Sequence, residues 1–272
     1  MRVDSHLANA NITIEEVYDI DLRDAKEAWR LIREPYGLGN SPPLLAKEGN
    51  TKVDKNPVPT YTLTLSPART QGRMNVCERS TPQCRKTCVM WTAGRGVFDY
   101  VRQARRARTH FLGRHPRHFL RLLDEELQRA DRKLEVFGVR LNVASDIRWE
   151  RWPWLFRHIG MRAYDYTKWK DFERPIKIQG VDNYRLTFSA SERWDESDVY
   201  DHVEAGLNVA MVFDTPKHQL PEWWGSAMLP VIDGDIHDYR YDDPQGVIVG
   251  LAAKGAATKL KSGGFVRHVE SH

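Results

Sequence analysis

About seven short runs of alternating apolar and polar residues recur along this chain, and most are separated by stretches with helical spacing. They lie at 61–66, 139–145, 163–167, 184–191, 207–214, 229–233 and 246–253, and a period of two predicts strands. Segments 97–112, 118–134 and 196–205 carry apolar residues three and four apart, which predicts helices, with Pro116 dividing the first two. Strand and helix in turn predict parallel βαβ units. The expected fold class is α/β, an open or complete TIM-like βα barrel.

The polar halves of these runs bear on its interior. Arg140 and Asn142 oppose Val139 and Leu141, Asp165 and Thr167 oppose Tyr164 and Tyr166, and Arg185, Thr187 and Ser189 oppose Tyr184, Leu186 and Phe188. A barrel interior is ordinarily filled by apolar side chains, so a polar lining predicts a wet or ligand-filled one. A partly antiparallel sheet with one solvated face gives the same alternation. In the barrel, strand ends form the active face. There Asp146, Lys168, Glu192 and Lys254 are the catalytic candidates, and Ser66, Asn142, Ser189 and Asp214 the candidates for binding a cofactor.

All three cysteines, Cys77, Cys84 and Cys88, fall in one loop directly after the first of these strands. An odd number crowded into one loop of a long chain does not make a disulfide framework; it is the pattern of reduced thiols holding a metal. Thiolates are the preferred ligands of iron–sulfur clusters and common ligands of zinc, so a metal centre is expected on Cys77, Cys84 and Cys88, an iron–sulfur cluster first, of the 4Fe–4S type that a resemblance to radical S-adenosylmethionine enzymes implies. Zinc is the alternative, with His110 or His115 completing a tetrahedral set. Zinc sites usually open on a closer cysteine pair than the Cys77–Cys84 spacing provides. Three buried structural thiols are the remaining reading.

Residues 1–60 are expected to form a helix, near 25–32, and an extended arm rich in proline and glycine, leaving 61–272 as the barrel-like domain. The amino terminus lacks an apolar signal core and no apolar run is long enough to span a bilayer, so a soluble protein of a reducing compartment is expected, with no membrane partner. The net charge is only +4, yet from Arg95 to Arg121 eight arginines and three histidines face the single acid Asp99. The Arg102–Arg121 surface would suit nucleic acid or a protein partner, or else form a solvated helix face. Asp233, Asp235, His237, Asp238, Asp242 and Asp243 could coordinate a hard cation or form an acidic turn. Trp149, Trp152 and Trp154 could stack on a base or pack in the core. Gly94-Arg-Gly96 lacks the third glycine of a dinucleotide motif.

Several separated motifs resemble an actinobacteriophage family called gene product 88: Asn75-Val-Cys, Ser80-Thr-Pro-Gln-Cys-Arg, Thr92-Ala-Gly-Arg-Gly96, Arg140-Leu-Asn, Ser145-Asp-Ile-Arg-Trp-Glu150, Tyr164-Asp-Tyr-Thr-Lys168, Tyr184-Arg-Leu-Thr-Phe-Ser189, Asp233-Gly-Asp and Asp243-Pro-Gln-Gly-Val-Ile-Val-Gly250. The resemblance implies a phage protein acting in the host bacterial cytoplasm, where a host protein is a possible partner, and implies no reaction. A three-cysteine loop after the first strand of a βα barrel is also similar to the radical S-adenosylmethionine enzymes. That likeness implies a cluster with one open iron, S-adenosylmethionine as cofactor, and a small molecule or nucleotide as substrate. Here the spacing is C-x6-C-x3-C rather than C-x3-C-x2-C, and Ser145-Asp146-Ile147 stands where those enzymes carry a Gly-Gly-Glu-like motif.

Overall fold

The computed structural model describes residues 11–39, 42–47, 52–68, 74–170, 174, 181–260 and 264–269. Its sheet contains β1 (Leu45–Ala46), β2 (Thr60–Leu63), β3 (Phe137–Arg140), β4 (Met161–Thr167), β5 (Tyr184–Ser189), β6 (Asn208–Phe213), β7 (Trp223–Trp224), β8 (Leu229–Asp233), β9 (Ile248–Ala252) and β10 (Val266–Arg267). The order is β1-β2-β3-β4-β5-β6-β9-β8-β7, with β10 also on β6. Neighbours from β2 to β8 run parallel, and the two-residue end strands β1 and β7 pair antiparallel. The fold is therefore mixed α/β, as the alternation predicts, and its ten-stranded sheet is not closed. Pairing of β5 with β6 ends at Ser189↔Ala210, and β10 takes over beside Val212 and Phe213.

The helices are α1 (Ile14–Tyr18), α2 (Leu22–Arg33), α3 (Pro82–Lys86), α4 (Val89–Thr92), α5 (Asp99–Arg114), α6 (Pro116–Asp131) and α7 (Glu196–Glu204). Only His115 separates α5 from α6, and Pro116 opens α6, where its missing N–H costs no helical bond. Phe111, Phe119 and Leu123 of this pair pack with Leu63, Phe137, Val139 and Ala163 of the sheet. Trp29 of α2 joins that core, stacked on Phe111 at 5.3 Å, so the amino-terminal segment shares the core of the first half of the sheet. Val199 and Val203 of α7 cover Val209, Met211 and Ile248 of the second half. No helix among the described residues is long and apolar enough to cross a membrane.

Strand β4 takes the face opposite to the one its polar residues predict. Met161 and Ala163 lie in the helix-covered core, so the pleat puts Asp165 and Thr167 on that side as well. Tyr164 and Tyr166 turn to the other side with Arg140, whose guanidinium lies 4.8 Å from the Tyr166 ring centroid. Alternation fixes which residues share a face but not which face is buried, and a tyrosine suits either. Gly138 opposes Thr60, and a Cβ there would come within 2.5 Å of the Thr60 hydroxyl.

Charge ties the far end of the sheet back onto its beginning. The segment after β8 places Asp235, Asp238 and Arg240 in buried positions. Arg140 Nη1 donates to both Asp238 oxygens at 2.7 and 2.6 Å, and the Asp238 N–H donates to Asn56 Oδ1 at 2.9 Å. Asp235 accepts from the Ala252 N–H and pairs with Lys254 and, at 3.5 Å, with Lys52. Tyr239 meets Tyr164 edge-on at 5.4 Å. A buried pair broken from one side leaves an uncompensated charge. Asp238→Ala is expected to cost about 3–5 kcal/mol in urea unfolding, whereas Arg140→Met combined with Asp238→Leu costs clearly less.

Candidate functional site

The site begins at the turn leaving β3. Asn142 holds that turn: its Oδ1 accepts from Ser145 Oγ, the Ile147 N–H and Trp149 Nε1 at 2.8, 3.0 and 3.0 Å, and its Nδ2 donates to the Ile147 carbonyl. Its own N–H donates to Asp165 Oδ1 at 2.7 Å. Asn142 is thus occupied in shaping the loop. The loop presents the Ala144 carbonyl to the Cys77 thiol at 3.3 Å and the Asp146 N–H to the Val76 carbonyl at 2.7 Å, fastening the cysteine segment to the end of β3.

Asp146 is the junction. Its Oδ1 accepts from Thr167 Oγ1 at 2.8 Å and lies 3.2 Å from Arg174 Nη1, while its Oδ2 accepts from the Lys168 N–H at 2.8 Å. Burial pushes this carboxyl up, opposed by Arg174, the Lys168 N–H and Thr167. Arg174 also grips Glu150 through Nε and Nη2 at 2.7 and 2.8 Å, and donates to Tyr184 Oη, which donates to Asp165. Trp169, whose Nε1 donates to the Asp146 carbonyl, lies under the guanidiniums of Arg79 and Arg148 at 4.4 and 4.5 Å.

The three cysteines come within electrostatic reach of one another. Burial drives Cys77 up to about 12, with smaller upward contributions from Asp146, Cys84 and Cys88. Cys84 sits in α3, its N–H donating to the N-cap Thr81 hydroxyl at 3.2 Å, and Cys88 is the N-cap of α4. Burial raises Cys88 too, while the Met90 N–H, Arg105 and Lys168 favour its thiolate. Arg105 is buried, donates through Nη1 to the Met90 carbonyl at 2.8 Å, and its Nε has no hydrogen-bond partner among the described residues.

Of the residues predicted from the sequence, Asp146, Lys168, Ser189 and Glu192 gather around these cysteines. Lys168 Nζ donates to Ser189 Oγ at 2.8 Å. Glu192 accepts from Thr81 Oγ1 at 2.6 Å and the Gln83 N–H at 3.1 Å, holding α3 in place. Ser66 is buried with its N–H on Thr109 Oγ1. Lys254 belongs to the Asp235 pair, and Asp214 fastens the carboxy-terminal strand through His268 and the Val269 N–H. Arg174 is a site residue that the sequence reading missed; its segment carries no periodicity. Thr81 and Trp169 gave no signal beyond their nearness to the loop and the strand end.

No group of three or more His, Cys, Asp and Glu among the described residues converges as ligands of one metal ion. His110 faces Tyr36 and His115 packs edge-on to His118. In the acidic turn Asp238 pairs with Arg140 and Asp243 with Arg240, so these two carboxylates are neutralised by arginines, and Asp233 Oδ2 lies 2.7 Å from His218 Nδ1.

Burial carries Asp165 up to about 7, against the Asn142 N–H, Arg140, Tyr184 and Arg174. A free aspartate titrates near ~3.9, so between about pH 4 and about pH 7 the folded chain holds a proton that the unfolded chain has lost, and stability falls as pH rises through that window. Asp165→Asn should flatten this slope in urea unfolding followed across it; an unchanged slope would place the titration elsewhere.

A family model described as Gene product 88 matches residues 41–268. No curated protein and no solved structure matches the chain significantly.

Proposed function

The chain belongs to the gene product 88 family, and from the chemistry of its thiol pocket we propose that it is an iron–sulfur protein, a radical S-adenosylmethionine-like enzyme acting on a small molecule or nucleotide. The observation that carries this reading is Arg105. A buried guanidinium is costly without a counter-charge, and here the group that favours its charged form is the Cys88 thiol. A buried cation within electrostatic reach of Cys88 favours the thiolate form that a metal ligand takes. Ligands of a single zinc converge on one ion, whereas the thiolates of a 4Fe–4S cluster take separate irons and stand a cluster's width apart. Three cysteines within electrostatic reach of one another, with cations favouring the Cys88 thiolate, suit a 4Fe–4S cluster.

Held by Cys77, Cys84 and Cys88, a 4Fe–4S cluster would supply one-electron reduction, the electron drawn from an external donor, for cleaving a sulfonium C–S bond to a thioether and a carbon radical. The chain's own residues hold and orient. Cys77, Cys84 and Cys88 are the ligands. Asp146 fixes the Cys77 segment against the end of β4, and Glu192 fixes the Cys84 helix. Lys168, whose hydrogen bonds go to the neutral Ser189, offers an ammonium to a carboxylate or phosphate of the bound molecule. Strands β2 to β6 with β9 and β8 then act as an incomplete βα barrel whose polar face receives the substrate, and the host bacterial cytoplasm is the setting.

The alternative, a metal-stabilised protein that binds nucleic acid or a host protein along Arg102–Arg121, has less to draw on. Arg105 is buried, Arg108 donates to the Pro43 carbonyl, Arg117 pairs with Glu16 and Arg121 lies over Tyr18.

Electron paramagnetic resonance of the reduced protein tests the reading. S-adenosylmethionine is expected to perturb the cluster signal in the wild type and much less in Lys168→Ala, which keeps its iron. An unperturbed wild-type signal would reject the radical mechanism. Removing the cation beside the sulfurs disfavours adding an electron, so Arg105→Gln should lower the midpoint potential and Arg105→Lys recover part of it. An unchanged potential would remove Arg105 from this role.

A further inference from the structure

The described residues expose eleven large apolar side chains, and four of them fall within twelve residues: Val89 at 41%, Val97 at 48%, Phe98 at 51% and Tyr100 at 57%. Scattered apolar residues on a surface need no explanation, but a cluster does. Phe98 and Tyr100 are stacked, with centroids 6.0 Å apart and 21° between the planes. Arg102 Nε donates to the Gly96 carbonyl and its guanidinium lies 5.5 Å from the Trp91 ring, which ties the start of α5 to α4. Cys88 caps α4, so the cluster adjoins the thiol pocket.

Its charge is one-sided. Besides the buried Arg105, the sequence from Arg85 to Arg106 holds five cations and one acid, Asp99. Lys86 is exposed, as is Arg85, whose Nη1 reaches Ser80. Half-exposed stacked rings bordered by cations match bases that stack and phosphates that follow them. A duplex keeps its base faces covered, so an unpaired strand is the form that fits.

We propose that the surface formed by Val89, Val97, Phe98 and Tyr100 with Lys86 and Arg102 binds single-stranded nucleic acid, leading the strand across the thiol pocket. This goes beyond the iron–sulfur reading and does not depend on it.

The test is fluorescence anisotropy of a labelled oligothymidylate with the full-length chain, before and after iron loading, at rising salt. Binding should weaken with salt, and the double variant Phe98→Ala with Tyr100→Ala should bind at least about tenfold more weakly. Lys86→Glu, on an exposed side chain that makes no demand on the fold, should also weaken it. A labelled duplex of equal length should bind less tightly than the single strand. The proposal is overturned if the wild type does not bind at low salt, if Lys86→Glu and a folded double variant bind as the wild type does, or if the duplex is preferred. It is also overturned if sedimentation shows the wild type self-associating through this patch and the ring variant monomeric.

Discussion

The geometry around the cysteines depends on one buried carboxylate. Asp146 joins three pieces of chain: the cysteine segment through Val76, the exit of β4 through Thr167 and Lys168, and Arg174. Burying it is tolerable only because these donors meet both of its oxygens. Since Arg174 continues to Glu150 and Tyr184, and Tyr184 to Asp165, a single network of charges and hydroxyls runs from the strand interiors to the thiol loop. Cys77 takes its place from that frame, with the Ala68 N–H directed at its sulfur and the Ala144 carbonyl accepting from it.

The same economy shapes the sheet. Its ends are two-residue strands, and the segment after β8 reaches the polar side of β3 and β4 through Arg140–Asp238 and Tyr164–Tyr239 rather than through a ladder. This ionic seam gathers Arg140, Asp238, Tyr164 and Tyr239 on the side of the sheet away from the α5–α6 pair. Tyr166 belongs to that side, with its hydroxyl buried and without a hydrogen-bond partner among the described residues.

Much of this was legible from residue order. The seven longer strands, α5, α6 and α7 follow from periodicity, and all three cysteines stand in one short segment of the sequence. What escaped has physical causes. Strands of two residues, such as β1, β7 and β10, hold too little alternation to register. Asp165, expected to line a wet or ligand-filled interior, lies instead on the helix-covered side of β4, where the Asn142 N–H and the Tyr184 hydroxyl satisfy it. The arginine run in α5 looks like one basic surface, yet its helical positions send Arg105 inward and the exposed aromatic residues gather only at the start of the helix. Asp214 stands at a strand end as predicted, while Asn142, which alternation places within a strand, stands in the turn after β3; their hydrogen bonds hold a terminal strand and that turn.

The central claim is that Cys77, Cys84 and Cys88 hold an iron–sulfur cluster. The most direct measurement is iron and acid-labile sulfide per chain on protein purified without oxygen, beside a variant with all three cysteines changed to alanine. About four irons and four sulfides in the wild type, lost in the variant, are the expected result. Stoichiometric zinc without sulfide, or iron retained by the variant, would contradict it.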